Sequence, residues 1–177
     1  MDITEFVNRS FGRWRSQRTA HHLAFRHSEE ITSTIDIVPL EPNCSEVIEL
    51  CKAYDIDPQL ARVPFRMSWE GESDWDEKEE LTGTTVLIPV PDPKEAKTGK
   101  LLRDRGYAET MAAVGKYQIT ADGTFILTTE YDRAAAEEKI WFATPNLRLR
   151  VSLIKTSGGT GVTTASFSSE IRSLTTS

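Results

Sequence analysis

The sequence predicts an all-β protein: one antiparallel up-and-down barrel with two or three short helices. Three observations carry this. Apolar residues recur with a period of two from Val63 onward, turn-forming residues separate the runs at short intervals, and helical spacing is confined to the first third of the chain. Short turns join each strand to its neighbour, and closing such a meander removes the exposed edges that an open sheet would leave. A β-sandwich is the runner-up architecture.

The elements follow in order. Ile3, Phe6, Val7 and Phe11 stand at helical spacing, Asp2 and Glu5 are placed like an N-terminal capping pair, and Gly12 can stop the helix. Strands are expected over 13–18, 21–26 and 31–38. A second helix is marked by Val47, Ile48, Cys51 and Tyr54 after Pro42-Asn43, closing near Asp57-Pro58 because proline disfavours helical geometry in the residue before it. Further strands are expected over 63–70, 73–77, 82–89, 113–120, 124–131, 137–143, 147–156 and 163–171. Asp122-Gly123 is a hairpin signal, and Thr144-Pro145-Asn146 and Gly158-Gly159-Thr160-Gly161 break the later pairs. Barrels of about eight strands can hold one small ligand in the lumen, as lipocalins do.

Composition bounds the function. The 177 residues carry 21 Lys+Arg against 27 Asp+Glu, a net charge of −6, with 38% hydrophobic residues, which fits one domain over residues 1–177. An acidic chain argues against nucleic-acid binding as the main activity. No apolar run approaches the roughly 18 residues of a membrane span, and no signal peptide opens the chain, so a cytoplasmic protein without membrane insertion is expected. Cys44 and Cys51, read on one helix, would have Cα atoms about 10 Å apart, too far for a disulfide. They lack the partners that a zinc site needs. His21 and His22 point to opposite faces of a strand and cannot jointly chelate a metal. No P-loop, GxSxG or GxGxxG is present, and the acidic 70–80 stretch fails the calcium-loop pattern.

Period-two faces supply the candidate site. In 147–153 one face is Arg148, Arg150 and Ser152 and the other is apolar; in the first strand Trp14, Ser16 and Arg18 share a face. Periodicity leaves the inward side open. If these arginines face solvent, each strand is an ordinary half-buried one. If they face a lumen, the leucine face must be covered, and the two amphipathic helices could cover it. A buried guanidinium demands an anion, from Glu138 or from a ligand carboxylate. Arginine also suits bidentate carboxylate recognition. Trp69 and Trp75 share a face and could stack on a flat conjugated ligand or simply fill a core. Trp141 reads as core packing.

Several strings together resemble one family: Trp14-Arg15-Ser16-Gln17-Arg18-Thr19 with His21-His22, Ser68-Trp69-Glu70-Gly71, and the run from Gly99 to Tyr107. The run from Trp141 to Arg150 and the run from Ala165 to Arg172 complete the set. In order, they are similar to the S-type phycobiliprotein chromophore lyases, from about Trp14 to Arg172. Residues 132–136 and 157–163 fall outside the resemblance and read as loops.

The resemblance implies a lipocalin-like, fatty-acid-binding-protein-like barrel that holds an open-chain tetrapyrrole of the phycocyanobilin type noncovalently. It would deliver that bilin to a cysteine of a phycobiliprotein apo-subunit, of phycocyanin or allophycocyanin type. It implies pocket arginines at Arg18 and Arg148, with Arg150 and Ser152 on the same face, stacking tryptophans at Trp69 and Trp75, and a pocket glutamate at Glu138. Arg18 and Glu138 would act on the reacting bilin. No metal or further cofactor is implied, and the active form could be a homodimer or a pair with a related lyase subunit. The competing readings are a passive carrier of a bilin, fatty acid or other carboxylate-bearing ligand, and a sandwich adaptor with no lumen.

Overall fold

The computed structural model describes residues 1–74, 80–104, 114–156 and 161–174. Helix α1 (Ile3–Ser10) leads into β1 (Gly12–His22) and β2 (His27–Pro39); α2 (Ser45–Ala53) precedes β3 (Phe65–Ser73), β4 (Glu80–Pro91) and β5 (Thr98–Arg103). Strands β6 (Gly115–Ile119), β7 (Phe125–Glu130), β8 (Ala134–Thr144), β9 (Leu147–Thr156) and β10 (Val162–Arg172) complete the chain. Each strand pairs antiparallel with the next, and β10 returns to β1 from Trp14↔Arg172 to His22↔Thr164, closing the barrel. Closure excludes the sandwich.

The helices do different things. Asp2 accepts the Glu5 backbone N–H at 2.8 Å, as the capping pattern requires. Ile3, Phe6 and Val7 are then buried against Leu87, Leu101, Tyr117, Leu127 and Ile140, which point inward from β4 to β8. Helix α1 therefore plugs one end of the lumen. Helix α2 instead packs Val47, Leu50 and Cys51 on Val86, Ile88, Val90 and Leu102, the outward residues of β4 and β5. Cys44 stands just before α2, at its N-cap, and both cysteines are free.

Neither helix covers the apolar face of β9, contrary to the expectation. Helix α1 was drawn to the inward apolar residues of β4–β8 and α2 to the outward apolar residues of β4 and β5. Leu149 and Val151 sit half-buried on the outer wall, beside Phe167 at 48% and Ile171 at 58% exposure on β10.

Other boundaries differ for local reasons. The runs 13–18 and 21–26 are one strand that ends at His22, followed by a 3-10 turn at Leu23–Phe25. The runs 63–70 and 73–77 are likewise the single strand β3, with residues 75–77 outside the described residues. Ala134–Ala136 are not loop but the start of β8, and Val162 and Thr163 begin β10. Strand β5 was not anticipated because it does not alternate: Leu101 is buried against α1 and Leu102 under α2, so both faces are apolar. Trp141 is not in the core. It follows Lys139 on the outward face of β8, opposite Leu149, while Glu138 and Ile140 point inward.

Candidate functional site

Antiparallel register stacks the inward residues of four adjacent strands into rows. Ser16, Glu170 and Arg148 form one row, Arg18, Ser168 and Arg150 the next, and Ala20, Ser166, Ser152 and Glu138 the third. The two period-two arginine faces thus both turn inward, and they meet across β10.

The carboxylate that these arginines require is chiefly Glu170. Arg148 Nε donates to Glu170 Oε2 at 2.5 Å, and Arg150 Nε lies 3.2 Å from Glu170 Oε1. Arg150 Nη1 also donates to Glu138 Oε1 at 3.2 Å, and Ser152 Oγ donates to the same oxygen at 3.4 Å. Two cations and two anions compensate one another in a region where Arg148 is 2% and Glu170 1% exposed. Burial works against the Glu170 carboxylate, but the charges of Arg150 and Arg148 and the Arg148 hydrogen bond outweigh it and hold its pKa below the usual value. Trp14, fully buried, forms the floor: Arg148 Cζ lies 4.9 Å from its ring centroid, and its Nε1 donates to the Ser10 carbonyl at the end of α1 at 2.8 Å.

Above this floor is a cavity of about 450 Å³, lined by Arg18, Trp69, Arg103, Glu138, Arg150, Ser152 and Glu170 among others. Arg18 Nε is buried without a hydrogen-bond partner among the described residues. Trp69 lies flat on β4 at Gly83, where a Cβ would come within 2.3 Å of the indole. Gly83 is what lets that ring lie back against the wall.

Of the expected site residues, Arg18, Trp69, Glu138, Arg150 and Ser152 converge on this cavity. Arg148 stands behind it, locked to Glu170. Trp75 lies outside the described residues. Sequence reasoning missed Glu170 and Arg103. Glu170 had a signal, since Ser166, Ser168 and Glu170 alternate with Phe167, Ser169 and Ile171 as the β9 faces do; Arg103 ends the non-alternating β5 and had none. His21 and His22 face opposite ways as expected, and no cluster of three metal-ligating side chains occurs among the described residues.

The fold and site define a closed antiparallel barrel, plugged at one end, whose internal cavity is lined by tryptophan, arginine and paired charges. The model of the CpeS-like protein family matches residues 2–173, and the chain belongs to that family of chromophore lyases. It is 64% identical over 173 residues to chromophore lyase CpcS/CpeS 3 of Trichodesmium erythraeum, covering 98% of this chain and 100% of that one. It is 58% identical to a putative phycoerythrobilin lyase CpeS of Microchaete diplosiphon, over 89% of this chain and 71% of the other. The solved structure of the S-type phycobiliprotein lyase CPES from Guillardia theta superposes with a TM-score of 0.87 at 50% identity, covering 99% of this chain and 94% of that one. No helix among the described residues is long and apolar enough to cross a membrane.

Proposed function

We propose that this chain binds an open-chain tetrapyrrole of the phycocyanobilin type noncovalently in the barrel lumen and assists its thioether attachment to a cysteine of a phycobiliprotein subunit of phycocyanin or allophycocyanin type. The carrying observation is the Arg148–Glu170–Arg150–Glu138 network facing Trp69 and the unpartnered Arg18 Nε across one cavity. Arg18 and Arg150 receive the two propionates, and Trp69 stacks on the conjugated rings. Glu138 accepts from pyrrole N–H groups or returns a proton to them. Arg148 acts through Glu170, fixing the carboxylate that aims Arg150.

In the reaction the acceptor sulfur bonds to the exocyclic carbon of the ring A ethylidene, and the thiol proton ends on the ring carbon at the other end of the former double bond. Nothing is oxidised or reduced, so the addition balances without a metal or further cofactor. The protein's part is orientation: one bilin conformer held with one ethylidene face open to the thiol, and water kept out.

The test is to incubate the purified protein with phycocyanobilin, and separately phycoerythrobilin, and an apo-phycobiliprotein subunit, then read zinc-enhanced fluorescence on the denatured acceptor band. An adduct that depends on this protein and has a native-like spectrum supports the lyase. Adduct at the spontaneous background only, across the main acceptor subunits, leaves a carrier of carboxylate-bearing ligands.

A further inference from the structure

The lumen does not end at the cavity described above. A second chamber of about 450 Å³ opens beyond Arg18, Glu138 and Ser152, and these three residues line both spaces as a shared waist. Small side chains, Ala20 on β1, Ala134 and Ala136 on β8 and Ser166 on β10, together with Leu153 and Ile154 on β9, make it a largely apolar slot.

Besides His22, Asp132, Arg133 and Thr164, two polar groups that the function above does not use, Tyr131 and Glu29, line it. Tyr131 Oη is buried without a hydrogen-bond partner among the described residues, which is costly unless a ligand supplies one. Glu29 accepts from Ser73 Oγ and lies 3.0 Å from His22 Nε2. Burial opposes its ionisation, but Ser73, His22 and the Arg18 charge outweigh burial and keep its pKa below the usual value. The slot therefore offers a hydroxyl donor and a carboxylate acceptor at the edge of an apolar cleft.

We infer that the bilin spans both chambers, with one terminal lactam ring in the alanine-walled slot, its carbonyl accepting from Tyr131 Oη and its N–H donating to Glu29. This rests on the bilin reading above. A lactam ring is flat, apolar on both faces and carries a carbonyl and an N–H on one edge, which suits an apolar slot lined by a donor and an acceptor. Tyr131 and Glu29 would then set how far the chain of rings slides past the Arg18–Glu138 waist, and so which end of the bilin is presented.

The experiment titrates phycocyanobilin into the full chain and into Ala136→Trp, at a position that lines the slot and not the first cavity, and into Tyr131→Phe, which removes one oxygen. A dipyrrinone carrying a single propionate, short enough for the first cavity alone, is titrated in parallel. Ala136→Trp is expected to weaken phycocyanobilin binding by about tenfold or more through lost apolar burial while leaving the dipyrrinone unaffected. Tyr131→Phe is expected to weaken it about threefold and to shift the long-wavelength band of the bound bilin. Unchanged phycocyanobilin affinity in a natively folded Ala136→Trp overturns the two-chamber pose, and should that variant not fold, unchanged affinity and spectrum in Tyr131→Phe overturn the lactam contact. A wild-type chain that binds the dipyrrinone or a fatty acid but not phycocyanobilin overturns the bilin reading itself, a result distinct from either.

Discussion

The two ends of the lumen are built from one closed sheet and are opposite in character. At the plugged end Phe6 stacks on Phe125 with ring centroids 4.7 Å apart, and Ile3 and Val7 fill the space between Leu87, Leu101 and Leu127. Away from α1 the inward positions of β1, β8, β9 and β10 carry Arg18, Glu138, Arg150 and Glu170 with serines between them, and a cavity remains. The difference teaches how a barrel keeps a hollow. Apolar side chains collapse onto a helix that offers an apolar stripe. Ion-paired side chains cannot, because pressing apolar surface onto them would strip their remaining hydration without replacing their hydrogen bonds.

The sharpest way to break this contrast is Glu170→Ala, which leaves Arg148 and Arg150 without their shared anion. Removing one member of a buried pair costs about 3–5 kcal/mol, and bilin binding is expected to fail with it; urea denaturation and a bilin titration read the two effects. Phe6→Ala in the plugged end is expected to cost a similar ~3–5 kcal/mol as a cavity mutation, yet to leave bilin affinity per folded molecule close to wild type. Equal loss of binding in both variants would mean that the two ends are not separable. Gly83→Ala is a smaller change: a new Cβ pushes the Trp69 indole off the wall and into the cavity, expected to weaken bilin binding about tenfold with little loss of stability. Tryptophan fluorescence with and without bilin reports it.

The smallest effect is that of pH. Glu170 and Glu29 both hold depressed pKa values in the folded chain, so the folded state binds fewer protons than the unfolded one across the carboxylate range. Their contribution to stability is complete above the unfolded carboxylate pKa and is lost as pH falls through the depressed native values. Urea midpoints taken downward from pH 6 should therefore fall, and fall less steeply in Glu29→Gln. A slope unchanged by that substitution would remove Glu29 from the account.

Much of the architecture was legible because β6, β7, β9 and β10 alternate and Asp122-Gly123 marks its hairpin, whereas β1 and β3 were each read as two shorter strands. Strand β5 was not legible, since Leu101 and Leu102 are buried on opposite sides by two different helices, which erases the alternation. At the site, Arg18, Arg150 and Glu138 were visible as residues that need partners, but Glu170 was not singled out as their principal counter-ion. That assignment depends on β10 lying between β1 and β9, a pairing between chain ends that local spacing does not encode. Trp141 was misplaced for a related reason: an aromatic residue on a strand is equally consistent with either face.

The amino-acid order by itself determined the period-two faces, the Asp2 helix cap, the turns and a set of strings from Trp14 to Arg172 that resembles one family. Only the tertiary structure decided which face of each strand is inside. An alternating pattern is symmetric under exchange of its faces, and the symmetry is broken by ring closure, which encloses one set of side chains and exposes the other. Here it enclosed the charges, because Glu170 and Glu138 could neutralise Arg148 and Arg150 there, and it left Leu149, Phe167 and Ile171 on the outer wall.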